Sequence, residues 1–235
     1  MSTAIMIDGA YFLKRFKHSF PDYDSRNAEV VAKAVFSMAV EHLKRAKRKP
    51  AALYRIYFYD CPPFSKKMHW PVSGKSVDFS RSEQAIFRNH LHQSLRKQRK
   101  LALRLGELSL HADWELKPEA LEQLRNRKME LHQLEDEHFR LGLKQKAVDM
   151  KIGLDIAALA YKKLVDQIVL IAGDSDFVPA AKLARREGID FILNPMGQRL
   201  PPNLFEHIDG LHSVALRPLV EEITTGNSPE ISMEP

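Results

Sequence analysis

The sequence predicts an α/β fold: a parallel sheet flanked by helices, with a central insertion of hairpin and helical character. Three observations lead there. Strand-sized apolar runs recur at residues 4–8, 53–59, 168–172 and 189–193. Segments of helical spacing lie between them, as parallel strands require, because a parallel partner is reached only through a long crossover. The last two runs enclose a helical segment, 177–187, that stops at Gly188, which makes a βαβ unit.

Each element has its own reason. Residues 4–8 form a continuous apolar run ending at Asp8, as in a strand buried on both faces. From Asn27, Val30, Val31, Ala34, Val35, Met38, Ala39 and Leu43 repeat with helical spacing, and the helix closes on a basic run just before Pro50. Residues 53–59 are rich in aromatic and β-branched side chains and end at Asp60, before the breaker Cys61-Pro62-Pro63. Residues 64–79 read as a loop and 80–99 as a helix. Residues 101–116 alternate around Gly106 as a hairpin or an edge strand. Pro118 opens a charged helix expected to reach about residue 141. Residues 148–163 are amphipathic, with Ile152, Ile156, Leu159 and Ala160 on one face. Residues 214–216 read as a short last strand. The resulting plan is one domain over 1–217, with an insertion at about 64–141, and a disordered acidic tail over 218–235.

The 235 residues suffice for one sizeable core. The single cysteine, Cys61, excludes an intrachain disulfide and a cysteine-rich zinc site. No apolar run is long enough to span a bilayer, and Met1-Ser2-Thr3 leads into a strand without a basic, signal-like region, so the expected setting is the cytoplasm without membrane association. The net charge of +6 is uneven. Residues 1–217 hold 36 basic against 26 acidic side chains, a net of +10, because Glu221, Glu222, Glu230 and Glu234 lie in the tail. A basic body suits a polyanion such as RNA.

Within that basic body, four acids stand where a parallel sheet gathers ligand-binding groups. Asp8 ends the first run, Asp174 and Asp176 follow the run 168–172, and Asp149 stands at the start of a helix. Like charges about 4 Å apart repel by roughly 4 kcal/mol at an effective dielectric of about 20. Carboxylates gathered in this way call for a hard divalent cation, Mg²⁺ or Mn²⁺. Taken singly, each has a plainer explanation: Asp8-Gly9 as a turn, Asp149 as a helix cap, Asp174 as a cap before Pro179. One cap needs one acid, so the pair Asp174 and Asp176 leaves one unexplained.

Three segments, Ile7-Asp8-Gly9, Lys146-Ala147-Val148-Asp149-Met150-Lys151 and Gly173-Asp174-Ser175-Asp176-Phe177, together resemble the NYN domain of the PIN-like nucleases, with the LabA-like bacterial branch most similar. The resemblance implies a Rossmann-like sheet and a metal-dependent endoribonuclease. Asp8, Asp149, Asp174 and Asp176 would be its catalytic, metal-binding carboxylates, Mg²⁺ or Mn²⁺ the cofactor, and the products would carry a 5′-phosphate and a 3′-hydroxyl. Many members have Asn where this chain has Tyr11, which favours the alternative of a catalytically weak or inactive module binding RNA or a protein.

Asp155, Ser175 and Tyr11 are auxiliary candidates. Asp155 lies six residues, about 240° of helix, past Asp149. Lys14, Arg15, Lys146 and Lys151 are the candidate RNA contacts, with Lys17 near the first strand and a possible backbone track at Arg96, Lys97, Arg99 and Lys100. Lys182, Arg185 and Arg186 are expected to face away. Tyr11, Phe12 and Phe177 could stack bases, although aromatics this close to strands are more often core. The charged helix 118–141 offers a surface for a homo-oligomer or another protein partner. No dinucleotide or Walker-type glycine motif is present. Ala10, two residues after Asp8, argues against an aspartate-nucleophile phosphatase.

Overall fold

The computed structural model describes residues 1–20, 27–44, 52–108, 113–143, 145–199 and 202–225. Residues 21–26, the basic run 45–49 and the tail 226–235 lie outside them.

The chain opens with β1 (Ser2–Asp8), α1 (Gly9–Ser19), α2 (Ala28–Lys44) and β2 (Ala52–Asp60). A hairpin of β3 (Lys67–His69) and β4 (Ser76–Asp78) precedes α3 (Glu83–Arg96) and β5 (Leu101–Leu105). The short pieces β6 (Glu107–Leu108), β7 (Trp114–Leu116), α4 (Pro118–Arg125), β8 (Phe139–Leu141) and β9 (Gln145–Lys146) follow. The last third holds α5 (Val148–Tyr161), β10 (Gln167–Ile171), α6 (Val178–Arg186), β11 (Asp190–Asn194), α7 (Pro202–Phe205), β12 (Gly210–Leu211) and α8 (Leu216–Thr225).

Six strands form one parallel sheet in the order β12-β11-β10-β1-β2-β5. The chain runs outward from β1 through β2 to β5, then returns to the other side of β1 and runs outward again through β10, β11 and β12. The strand order therefore reverses between β1 and β10. Alternation along β1 divides the core: Ile5 and Ile7 pack with α1, α2, α3 and α8, while Ala4 and Met6 pack with α5 and α6 on the opposite face. This three-layer, Rossmann-like arrangement is the expected α/β architecture.

The structure decides one alternative left open by the sequence and differs from its expectation in three places. Residues 101–105 take the edge-strand alternative, pairing parallel to β2 with Ile56 opposite Leu101, because α3 supplies the crossover. The expected loop 64–79 contains the β3–β4 hairpin. The expected charged helix 118–141 ends at Arg125: Asn126 caps it, Arg127 turns left-handed, and the amide of Lys128 reaches back to Gln123 O. Short 3₁₀ turns and β8, paired with β7, replace its second half. Finally, residues 214–216 form no strand. The last strand is β12, and α8 begins at Leu216, tolerates Pro218 in its first turn and seats Val220 in the core, with Leu219 and Ile223 packed against it. The stretch 218–225 is thus helical.

Candidate active site

The two strands flanking the reversal of order end at the acids. Ligands bind at such a switch point because the loops leaving adjacent strands diverge and open a crevice. Asp8 is the last residue of β1, and Asp174 lies three residues beyond the end of neighbouring β10. Asp149 sits in the first turn of α5, which packs on β1, on β2 and on the 3₁₀ turn Ser175–Phe177. Three distant segments thus meet at one edge of the sheet.

Local geometry explains how each acid is held. Gly9 starts α1 hard against β2: a Cβ there would stand 2.5 Å from Tyr59 O, so glycine is required by close approach rather than by a turn. Asp8 caps α1, its Oδ1 accepting from the Tyr11 amide at 3.1 Å. Asp174 caps the 3₁₀ turn, its Oδ1 accepting from the Asp176 amide at 3.1 Å. Asp176 caps neither turn nor helix and is exposed. Ala147 enters α5 with φ of +65°, so no side chain caps this helix and Asp149 stands against its amide-rich start.

These acids feel one another. Burial raises the Asp8 carboxyl from 3.8 to about 6; the amides of Tyr11 and Ala10 oppose the rise, and the charges of Asp149 and Asp60 add to it. Asp149 is also raised, first by desolvation of its carboxyl, which is partial because the residue as a whole is exposed, and then by Asp174 and Asp176. The electrostatic chain runs from Asp8 to Asp149 to the pair beyond β10. Yet among the described residues no group of three or more His, Cys, Asp or Glu stands close enough to hold a metal ion. Capping turns Asp8 and Asp174 toward their own amides, and the acids lie along one edge of the sheet without forming a cage.

Other candidates have occupied atoms. Asp155 accepts from Arg104 through both oxygens, at 2.9 and 2.5 Å, and from Tyr59 Oη at 2.8 Å, which is a structural ion pair. Tyr11 Oη donates to Pro195 O at 2.6 Å, and its ring lies where a Cβ on Gly173 would collide with it at 2.5 Å. Tyr11 therefore braces the Gly173–Asp176 loop against β11. Arg15 donates to Met196 O at 3.0 Å and Lys151 to Leu105 O at 2.5 Å. Lys14 and Lys146 are exposed, and Ser175 begins the 3₁₀ turn. Phe12 and Phe177 are core residues and offer no face to a base. The track Arg96–Lys100 falls at the wrong edge: it precedes β5, and Lys100 Nζ donates to Leu53 O near the start of β2. Arg185 is tied to Asp209 at 2.8 Å.

Asp60 ends β2 fully buried, bonded to Arg88 Nη1 and to His92 Nε2, the latter at 2.8 Å. Sequence reasoning missed both partners. Their signal was present, since positions 88 and 92 share one face of α3.

Fold and site together define a doubly wound α/β domain with acids at its switch point. The NYN domain model matches residues 84–200, and the chain belongs to that family, within the PIN-like nuclease superfamily. The matched span holds Asp149, Asp174 and Asp176 and takes in most of the central segment 64–141; Asp8 and Tyr11 lie before it. No curated protein matches the sequence. Among solved structures, a protein of unknown function from Vibrio parahaemolyticus is similar at 13% identity and a TM-score of 0.47, covering 91% of this chain and 93% of that one. A Sir2–p53 peptide–NAD⁺ complex gives 10% identity and a TM-score of 0.36 over 96% and 94%.

Proposed function

We propose that this chain is a metal-dependent endoribonuclease whose divalent cation, Mg²⁺ or Mn²⁺, is held in the crevice by Asp8 and Asp149, with Asp174 and Asp176 completing its acidic rim. What supports the reading is that Asp8 ends β1, that Asp174 and Asp176 follow β10 where the sheet order reverses, and that Asp149 at the start of α5 is coupled electrostatically to all three. The all-oxygen donor set suits a hard cation. Its open form suits one that keeps several waters and shares its remaining positions with a substrate phosphate. Such a cation, when bound, lowers the pKa of water and polarises a phosphoryl oxygen.

The chain's own residues supply the rest. Asp8, whose carboxyl lies near 6 without a cation, would be ionised on binding one, so cation affinity is expected to fall as pH drops below about 6. Lys14 and Lys146 add positive charge for the RNA backbone, and Ser175 offers a hydroxyl beside Asp174 and Asp176. Tyr11 acts by bracing, since its hydroxyl is engaged by Pro195. That engagement, with the open donor set, favours a second reading: a weak or inactive module that binds RNA or a protein, its partner surface lying in segment 118–141. No helix among the described residues is long and apolar enough to cross a membrane, and the cytoplasm is the proposed setting.

The discriminating experiment incubates labelled single-stranded and structured RNAs with the purified chain and Mg²⁺ or Mn²⁺. Cleavage is expected, abolished by EDTA and by Asp174→Asn. Equal survival of RNA with wild type and variant, across metals and substrates, would replace the nuclease by the binding module.

A further inference from the structure

The chain's two tryptophans, Trp70 and Trp114, stack on each other with ring centroids 4.6 Å apart and an interplanar angle of 28°. They line a pocket of about 460 Å³ together with Phe79 and Phe139, and Arg140 and Gln145 stand at its polar side. These four aromatics belong to neither core, and each keeps part of its surface in solvent. A cluster needed only for packing would bury them. Trp114 is fixed by its indole N–H, which donates to His69 O at 2.9 Å, and by Phe79, 6.1 Å away. The volume falls within the range of small-ligand sites, roughly 300–1,000 Å³.

The pocket lies toward the edge of the sheet that carries the acids. Gln145 precedes Asp149 by four residues, which span at most about 14 Å. Pro62, on the wall, lies two residues beyond Asp60, and Arg88, also on the wall, is the partner of Asp60. The hairpin itself is basic: between residues 64 and 82, Lys66, Lys67, Lys75 and Arg81 outnumber the single acid Asp78, while Asp136 bonds the hairpin turn at Val72 and Ser73 and Glu115 pairs with Arg140.

We propose that this pocket is a nucleobase subsite, in which an unpaired base of the RNA strand stacks on the Trp70, Trp114, Phe79 and Phe139 cluster while a neighbouring phosphate enters the crevice. Aromatic faces accept any base, and the basic hairpin suits the attached backbone. A proline-rich peptide would also use aromatics, but it has no need of the hairpin's lysines. The inference rests on the RNA-directed part of the proposed function.

The test uses the full chain in EDTA, so that binding is read without cleavage. Because both tryptophans line the pocket, a ten-residue adenylate RNA should change their emission with the Kd obtained from anisotropy of the same labelled RNA. Trp70→Leu should raise Kd about tenfold or more while leaving the salt dependence unchanged. Abasic replacement along the RNA should weaken wild type at one or two positions and leave Trp70→Leu indifferent. Phe139→Leu serves as a second variant if Trp70→Leu melts early. Saturating RNA binding with unchanged tryptophan emission overturns the proposal, as does emission that responds only to a proline-rich peptide. Metal-dependent cleavage with full activity and affinity in a stably folded Trp70→Leu removes the subsite alone. Base-dependent binding without cleavage removes the nuclease alone.

Discussion

Asp8→Asn is expected to be more stable than wild type at pH 8 and inactive on RNA. The native state binds the Asp8 proton more tightly than the unfolded chain, because its carboxyl lies at about 6 rather than 3.8. Ionising it therefore costs stability. Wild-type stability on this account falls as pH rises from about 4 to about 6 and stays reduced above. The gap corresponds to roughly 3 kcal/mol. Asparagine retains an oxygen for the Tyr11 amide, so the cap survives the change. Urea unfolding should show the variant ahead by roughly 3 kcal/mol at pH 8 and level at pH 4. Cleavage should fall by on the order of 100-fold or more, since even groups that only support metal ligands are worth about 10–100-fold. Mg²⁺ should raise the wild-type Tm, by binding only the folded state, and raise that of Asp8→Asn much less. A variant less stable than wild type at pH 8 would show that Asp8 is not under electrostatic strain.

Arg88→Met should be among the most destabilising single changes at this edge of the sheet. It leaves Asp60, fully buried, with His92 as its remaining charged or polar partner in α3. Breaking a buried ion pair from one side typically costs about 3–5 kcal/mol, because the surviving charge stays desolvated. For a chain of this size each kcal/mol lowers Tm by roughly 2–4 °C. Adding Asp60→Asn to Arg88→Met should recover part of the loss, since the two residues belong to one network. A loss under about 1 kcal/mol for Arg88→Met, measured by urea unfolding, would mean that Asp60 does not depend on the pair.

The sequence carried those parts of the fold that local pattern controls. β1, β2, β10 and β11 are apolar runs because central parallel strands are buried on both faces, and α2 and α5 display one apolar stripe. The acids were legible for the same reason, each following a recognisable strand or opening a recognisable helix. What local pattern does not contain is pairing between distant segments. The half-buried alternation of Leu101, Leu103 and Leu105 suits a hairpin arm and a parallel edge strand equally well. Asp155 meets Arg104 across 51 positions, and Tyr11 meets Pro195 across 184. Segment 118–141 read as one helix on charge and composition, whereas backbone reversal at Arg127 and the pairing of β7 with β8 end it early. Trp70 and Trp114 gave no periodic signal, because a small, irregular layer brings them together.

The central claim is that acids from separate parts of the chain share a cation where the sheet order reverses. Anomalous diffraction from crystals soaked in millimolar Mn²⁺ tests it most directly. The predicted result is a peak in the crevice at the ends of β1 and β10, bonded directly or through water to Asp8 and Asp149. No peak there at saturating Mn²⁺, or a peak confined to the opposite edge of the sheet, would contradict it.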